Sequence, residues 1–128
     1  MLMHADSQTC DSAEKFYALY YKNYDDNRPR IGEMYSAGAC MVWNGNPVEG
    51  KDAISQFLDK LPPSQHRVKT LDAQAVPECV SDGRTMMMVH VAGTVQFQSK
   101  LHSFAQTFML CVEDSKWKIA MDRFRFLT

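Results

Sequence analysis

Two stretches in the second half of the chain, Met86-Met87-Met88-Val89-His90-Val91-Ala92 and Phe108-Met109-Leu110-Cys111-Val112, are apolar at odd and even positions alike. Successive side chains of a strand point to opposite faces, so a sheet with one face in water alternates apolar with polar residues. Strands that lose the alternation belong to a sheet buried on both sides, and helices of this chain can cover only one of them. A large apolar surface left over on a small domain marks a protein interface, so the sequence predicts a dimer formed through the sheet face. The plainer alternative is that both runs lie at the strongly curved centre of the core.

The rest of the chain supplies the covering helices. Ala13, Phe16, Tyr17, Tyr20, Tyr21 and Tyr24 recur at helical spacing over residues 13–24, and Pro29 ends the helix by pushing the residue before it out of the helical region. A second short helix is expected over 30–35. A strand at Cys40-Met41-Val42-Trp43 meets the hairpin signal Asn44-Gly45 and returns along Val48-Glu49-Gly50. Residues 51–61 place Ala53, Ile54, Phe57, Leu58 and Leu61 on one helical face before Pro62-Pro63. Strands are then expected over 66–75, 85–97, 104–113 and 116–126, with turns at Ser81-Asp82-Gly83 and Asp114-Ser115. Helices first and a meander after give an α+β domain, N-terminal helices packed on a strongly curved antiparallel sheet. With 128 residues the chain makes a single domain, 1–128, in which 1–10 form a loosely ordered start.

Charge and motif content exclude several functions. Fourteen Lys and Arg against fifteen Asp and Glu leave a net charge of −1, with no excess to hold a phosphate backbone directly. Cys10, Cys40, Cys79 and Cys111 form no CxxC pair, and His4, His66, His90 and His102 match no ligand spacing, so no metal is expected. No basic start followed by an apolar stretch marks a secretory signal, and no apolar run reaches the roughly 20 residues of a membrane span, so the default location is nuclear or cytosolic. The absence of GxSxG, phosphate-loop and HExxH patterns leaves nucleophilic, nucleotide and zincin chemistry without a foothold. His90 is expected as a core imidazole, with a general base as the alternative. Asp122 stands out as a carboxylate of perturbed pKa, or else as one half of an ion pair with a nearby Arg. In Phe124-Arg125-Phe126 both rings point one way and Arg125 the other, where it meets either a partner's carboxylate or solvent.

These residues resemble the nuclear transport factor 2-like family, and within it the small messenger-RNA export cofactors. The likeness spans residues 16–126 and is carried by Phe16-Tyr17-Ala18-Leu19-Tyr20-Tyr21, Met34-Tyr35, Val42-Trp43-Asn44-Gly45-Asn46, Val48-Glu49-Gly50, Phe57-Leu58 before Leu61-Pro62, Phe104-x-Gln106-x-Phe108, and Trp117-Lys118-Ile119-Ala120 leading to Asp122 and Phe124-Arg125-Phe126. It implies a cone-like fold whose sheet pairs with the related domain of the nuclear RNA export factor known as TAP. It also implies an intermolecular salt bridge from Arg125 to an aspartate of that receptor. The heterodimer would shuttle between nucleus, nuclear pore and cytoplasm, contacting Phe-Gly repeats of nucleoporins mainly through the receptor and RNA only indirectly. Partner binding is expected at Arg125, Phe124, Phe126, Met86, Met88, Gln106 and Phe108, with no catalytic residue, cofactor or metal.

Two rivals remain. The family's homodimeric importer of GDP-bound Ran has a glutamate after the strand tryptophan and acidic residues before the Phe-x-Gln-x-Phe strand, whereas here Trp43 precedes Asn44 and the loop reads Gln96-Phe97-Gln98-Ser99-Lys100. Ran's basic residues would lose their counter-charges. The fold also hosts isomerases and dehydratases with an Asp or His base and Tyr donors inside the cone, for which Tyr17, Tyr21, Trp43, His90 and Asp122 are the available residues.

Overall fold

The computed structural model describes residues 7–127. Helix α1 runs over Ser7–Asp26, a 3-10 helix over Arg28–Met34, α2 over Lys51–Asp59 and the short α3 over Glu78–Ser81. The strands are β1 Tyr35–Trp43, β2 Asn46–Glu49, β3 Ser64–Ala75, β4 Met86–Phe97, β5 Lys100–Glu113 and β6 Lys116–Phe126. Ser7 to Cys10, expected in the loose start, already form the first turns of α1; residues 1–6 of that expectation lie outside the described residues.

The helical stripe read from the sequence is the buried one: Ala13, Phe16, Tyr20, Tyr21 and Tyr24 all sink into the core. A turn after α1, Pro29 lacks the N–H that an α-helix would use, and the chain continues as a 3-10 helix. The guanidinium of Arg28 fixes this corner. Its Nε donates to the Tyr24 carbonyl, Nη1 to the carbonyls of Leu58 and Leu61, and Nη2 to the Pro62 carbonyl and Ser64 Oγ, at 2.7 to 3.2 Å. Carbonyls at and just beyond the ends of α1 and α2 are thereby tied together by one side chain, and β3 is pinned beside them.

Sheet order is β2-β1-β6-β5-β4-β3. The meander from β3 to β6 is antiparallel, but β1 and β6 pair in parallel, so the expected all-antiparallel sheet is in fact mixed. Local reading could not see this pair, because it joins the first long strand to the last once the sheet has curved. The β1–β2 turn has positive φ at both Asn44 and Gly45, 46° and 86°, the mirror-image turn that matches strand twist. Bulges interrupt β3 between Val68 and Thr70 and the β5–β6 ladder between Met109 and Leu110. α1, the 3-10 helix and α2 all pack on one face of the sheet, where Tyr20, Tyr24, Tyr35, Phe104, Phe108 and Phe124 are fully buried.

Candidate functional site

Parity divides the strand residues cleanly. On β4, Met87, Val89, Val91, Val95 and Phe97 face the helices, while Met86, Met88, His90, Ala92 and Thr94 face away. On β5 the inward set is Phe104, Gln106, Phe108 and Leu110, and the outward set Ala105, Thr107 and Met109. On β6, Asp122 and Phe124 point in; Met121, Arg123 and Arg125 point out. No described helix packs on that outward face, so the second apolar parity of the opening strands lies uncovered in the single chain.

Register turns the outward residues into rows. Met88 pairs with Met109, Met109 with Met121, and Met121 with Cys40 of β1, a row of three methionines and a cysteine across four strands. The next row runs His90, Thr107, Arg123 and Val42, and the one after it Ala92, Ala105 and Arg125. Methionine chains are unbranched and polarizable and adapt to irregular surfaces, which suits a face that must fit a second protein. Arg123 and Arg125 are exposed beside this apolar patch, and neither forms an ion pair among the described residues.

Of the expected partner residues, the structure brings Arg125, Met86 and Met88 to one face. Gln106, Phe108 and Phe124 are corrected: each is at most 2% exposed, held in the chain's own core by the parity of β5 and β6, and closed to a partner. Phe126 shares the inward parity of Phe124 and sits half-buried at the rim, its ring stacked on His102 at 4.1 Å. Met87, on the same run as Met86 and Met88, is likewise core. His90 is neither a core imidazole nor a cavity base, since it lies exposed on the outward face with Nδ1 3.0 Å from Thr107 Oγ1. Met121, Arg123, Cys40 and Val42 were missed. The signal for Arg123 and Met121 was present in the unbroken alternation of β6 from Met121 to Arg125, which sets both on the side of Arg125; the bulge beside Met109 begins only at the next residue pair.

The interior holds a polar network. Asp122 has no exposed surface, and Oδ2 accepts from Tyr35 Oη at 2.6 Å and Tyr20 Oη at 3.3 Å while Oδ1 accepts from Gln106 Nε2 at 2.8 Å. Tyr21 Oη donates to Gln106 Oε1 at 2.6 Å. Burial pushes the Asp122 carboxyl up to about 6, although the three hydrogen bonds from Gln106, Tyr35 and Tyr20 pull the other way. Burial, followed by the nearby Asp122, also raises the Tyr20, Tyr21 and Tyr35 hydroxyls well above their ordinary range. The expected arginine partner is absent: tyrosines and an amide compensate this carboxylate. A second cluster, with no signal in the sequence because its members lie far apart, ties α1 to β3. Asp25 accepts from Ser64 Oγ, the His66 backbone N–H and His66 Nδ1 at 2.7 to 2.8 Å. Burial pushes the Asp25 carboxyl up, but the hydrogen bonds and charge of His66 outweigh it and hold the group below its usual value.

A curved six-stranded sheet with helices on one face, an aromatic-lined core and an uncovered apolar face defines a class of small α+β domains. Residues 12–126 match the nuclear transport factor 2 domain model, and the chain belongs to that family. It is 43% identical over 125 residues, 95% of this chain and 90% of the relative, to an NTF2-related export protein of Caenorhabditis elegans. To human NTF2-related export protein 2 it is 40% identical, covering 93% of this chain and 87% of the relative. Its fold also matches the crystal structure of the Candida albicans Mtr2–Mex67 M domain complex, with a TM-score of 0.78 at 14% identity over 94% of this chain and 97% of that one.

Proposed function

We propose that this protein is a non-enzymatic cofactor of a messenger-RNA export receptor, pairing through its outward sheet face with the receptor's homologous domain. The observation that carries this reading is the methionine row Met88-Met109-Met121 flanked by Arg123 and Arg125, an apolar patch with two cations that form no ion pair among the described residues. The face's own carboxylates, Glu49 beside Cys40 and Asp72 beside His90, sit on the edge strands β2 and β3, two or more strands away from the arginines of β6. A related but different domain that supplies carboxylates at its own centre meets these arginines directly. The kinship with export proteins supports the same choice. In this reading the complex shuttles through the pore, and nucleoporin repeats and RNA are met through the receptor.

The Ran-import reading has less support, because Asn44 and the turn around Gln98 and Ser99 put amides and a hydroxyl where counter-charges for basic Ran residues would be needed. Nor does the interior favour an enzyme: both oxygens of Asp122 are occupied and none of its surface is open. Light scattering on a mixture with the receptor's homologous domain tests the proposal; a one-to-one mass is expected, and a persistent homodimer that captures GDP-bound Ran refutes it. Arg125→Ala should weaken the heterodimer by about 2–5 kcal/mol, since it strands a buried carboxylate on the partner. Its own melting temperature should stay unchanged, and equal affinity in calorimetry would remove Arg125 from the interface.

A further inference from the structure

A groove of about 560 Å³ lies between α1, the 3-10 helix and the start of β6, and nothing in the pairing function uses it. Its apolar floor is made by Phe16, Leu19, Met34 and Trp117. Leu19 is 52% exposed, an open leucine on the outer side of a helix whose other large apolar positions are mostly buried. The rim is basic: Lys15, Arg30, Lys116 and Lys118 line it, against one carboxylate, Glu33. Arg30 Nη2 already engages Glu33 Oε1 at 3.3 Å, and Lys118 Nζ is held toward the groove by the Glu33 carbonyl. None of Lys15, Lys116 and Lys118 forms an ion pair among the described residues, so three lysine charges surround one concavity in a chain whose net charge is −1.

The geometry points to a docking site for a short acidic peptide segment of another protein, one bulky apolar side chain on the Leu19–Trp117 floor and carboxylates against Lys15, Lys116 and Lys118. Local charge opposite in sign to the whole chain attracts an anionic segment in preference to the bulk of proteins. The floor decides between anions. Phosphates of a nucleic acid satisfy lysines but leave leucine and methionine surface wet, whereas a peptide anchor covers it. Asn27, exposed at the start of the 3-10 helix, makes no side-chain cap hydrogen bond, so its amide is available to a peptide backbone. Because the groove is on the helical side, it stays open when the outward sheet face is occupied, and the site does not depend on what pairs there.

The test is fluorescence anisotropy on the intact chain with three labelled probes: a twelve-residue acidic peptide bearing one Phe, the same peptide with its acids changed to Gln and Asn, and a single-stranded RNA of equal length. The acidic peptide should bind with a salt-dependent affinity at least about tenfold above the neutral one. Lys15→Glu with Lys116→Glu should lower it by about tenfold or more, and Leu19→Ser by roughly fivefold, while Arg125→Ala leaves it unchanged. These variants sit on exposed positions, and an unchanged melting temperature confirms each is folded. Equal binding of both peptides, or indifference to the lysine and Leu19 variants, overturns the proposal. RNA binding that exceeds peptide binding and is lost in the lysine variants also overturns it, by assigning the groove to nucleic acid.

Discussion

Asp122→Asn removes a carboxyl group whose charged form is less stable in the fold than in water. Unfolded, the group ionises near 3.8; folded, burial moves it to about 6. A carboxyl raised on folding favours the native state below its unfolded value, and that advantage is lost as pH rises through the folded one. The full span corresponds to about 3 kcal/mol, of which about 1.4 kcal/mol falls between about pH 5 and pH 7.5. Asparagine keeps the network connected. Its oxygen takes the place of Oδ2 under the Tyr20 and Tyr35 hydroxyls, its amide donates to a flipped Gln106, and the Gln106 amide then donates to Tyr21 Oη. Urea unfolding of both proteins across that range gives the difference in stability between them. The difference should move by about 1.4 kcal/mol in favour of the wild type on acidification. Groups common to both proteins cancel, so a flat difference would show that Asp122 is not perturbed and that its hydrogen bonds fully offset its burial.

Arg28→Ala should cost about 3 kcal/mol or more in chemical denaturation, because four carbonyls and Ser64 Oγ lose a shared donor; a loss below about 1 kcal/mol would mean water replaces the guanidinium freely. Gly93 faces the β3 bulge so closely that an added Cβ would lie 2.0 Å from the Arg67 carbonyl oxygen, backbone that cannot swing aside. Gly93→Ala should therefore destabilise by about 2–4 kcal/mol, and a wild-type melting curve would show the bulge to be pliable. Asp25 is held low, so its contribution is complete above the unfolded value of 3.8 and lost as pH falls through the folded one. Asp25→Asn should flatten the acid limb of the stability profile, and an unaltered limb would assign it to other carboxylates.

Much of the fold follows from periodicity that short-range sterics impose. The stripe from Ala13 to Tyr24, the Asn44-Gly45 turn, Pro62-Pro63 after α2 and the β texture beyond them each reflect forces acting over a few residues. The Met86–Ala92 run even announced a sheet with a second apolar face. Phe124, Phe108 and Gln106, by contrast, look as suitable for an interface as Met88 does, and only the position of the helices shows which parity is inside. The parallel β1–β6 pair, the Arg28 clamp and the Asp25–His66 and Asp122–Tyr35 contacts all join residues far apart in the chain. What the sequence by itself determined is where strands and helices lie and that apolar surface exceeds what the helices can cover. Only the tertiary structure decided which residues that surplus exposes and how Asp122 is satisfied, because sheet curvature, bulges and long-range register exist only once the strands have met.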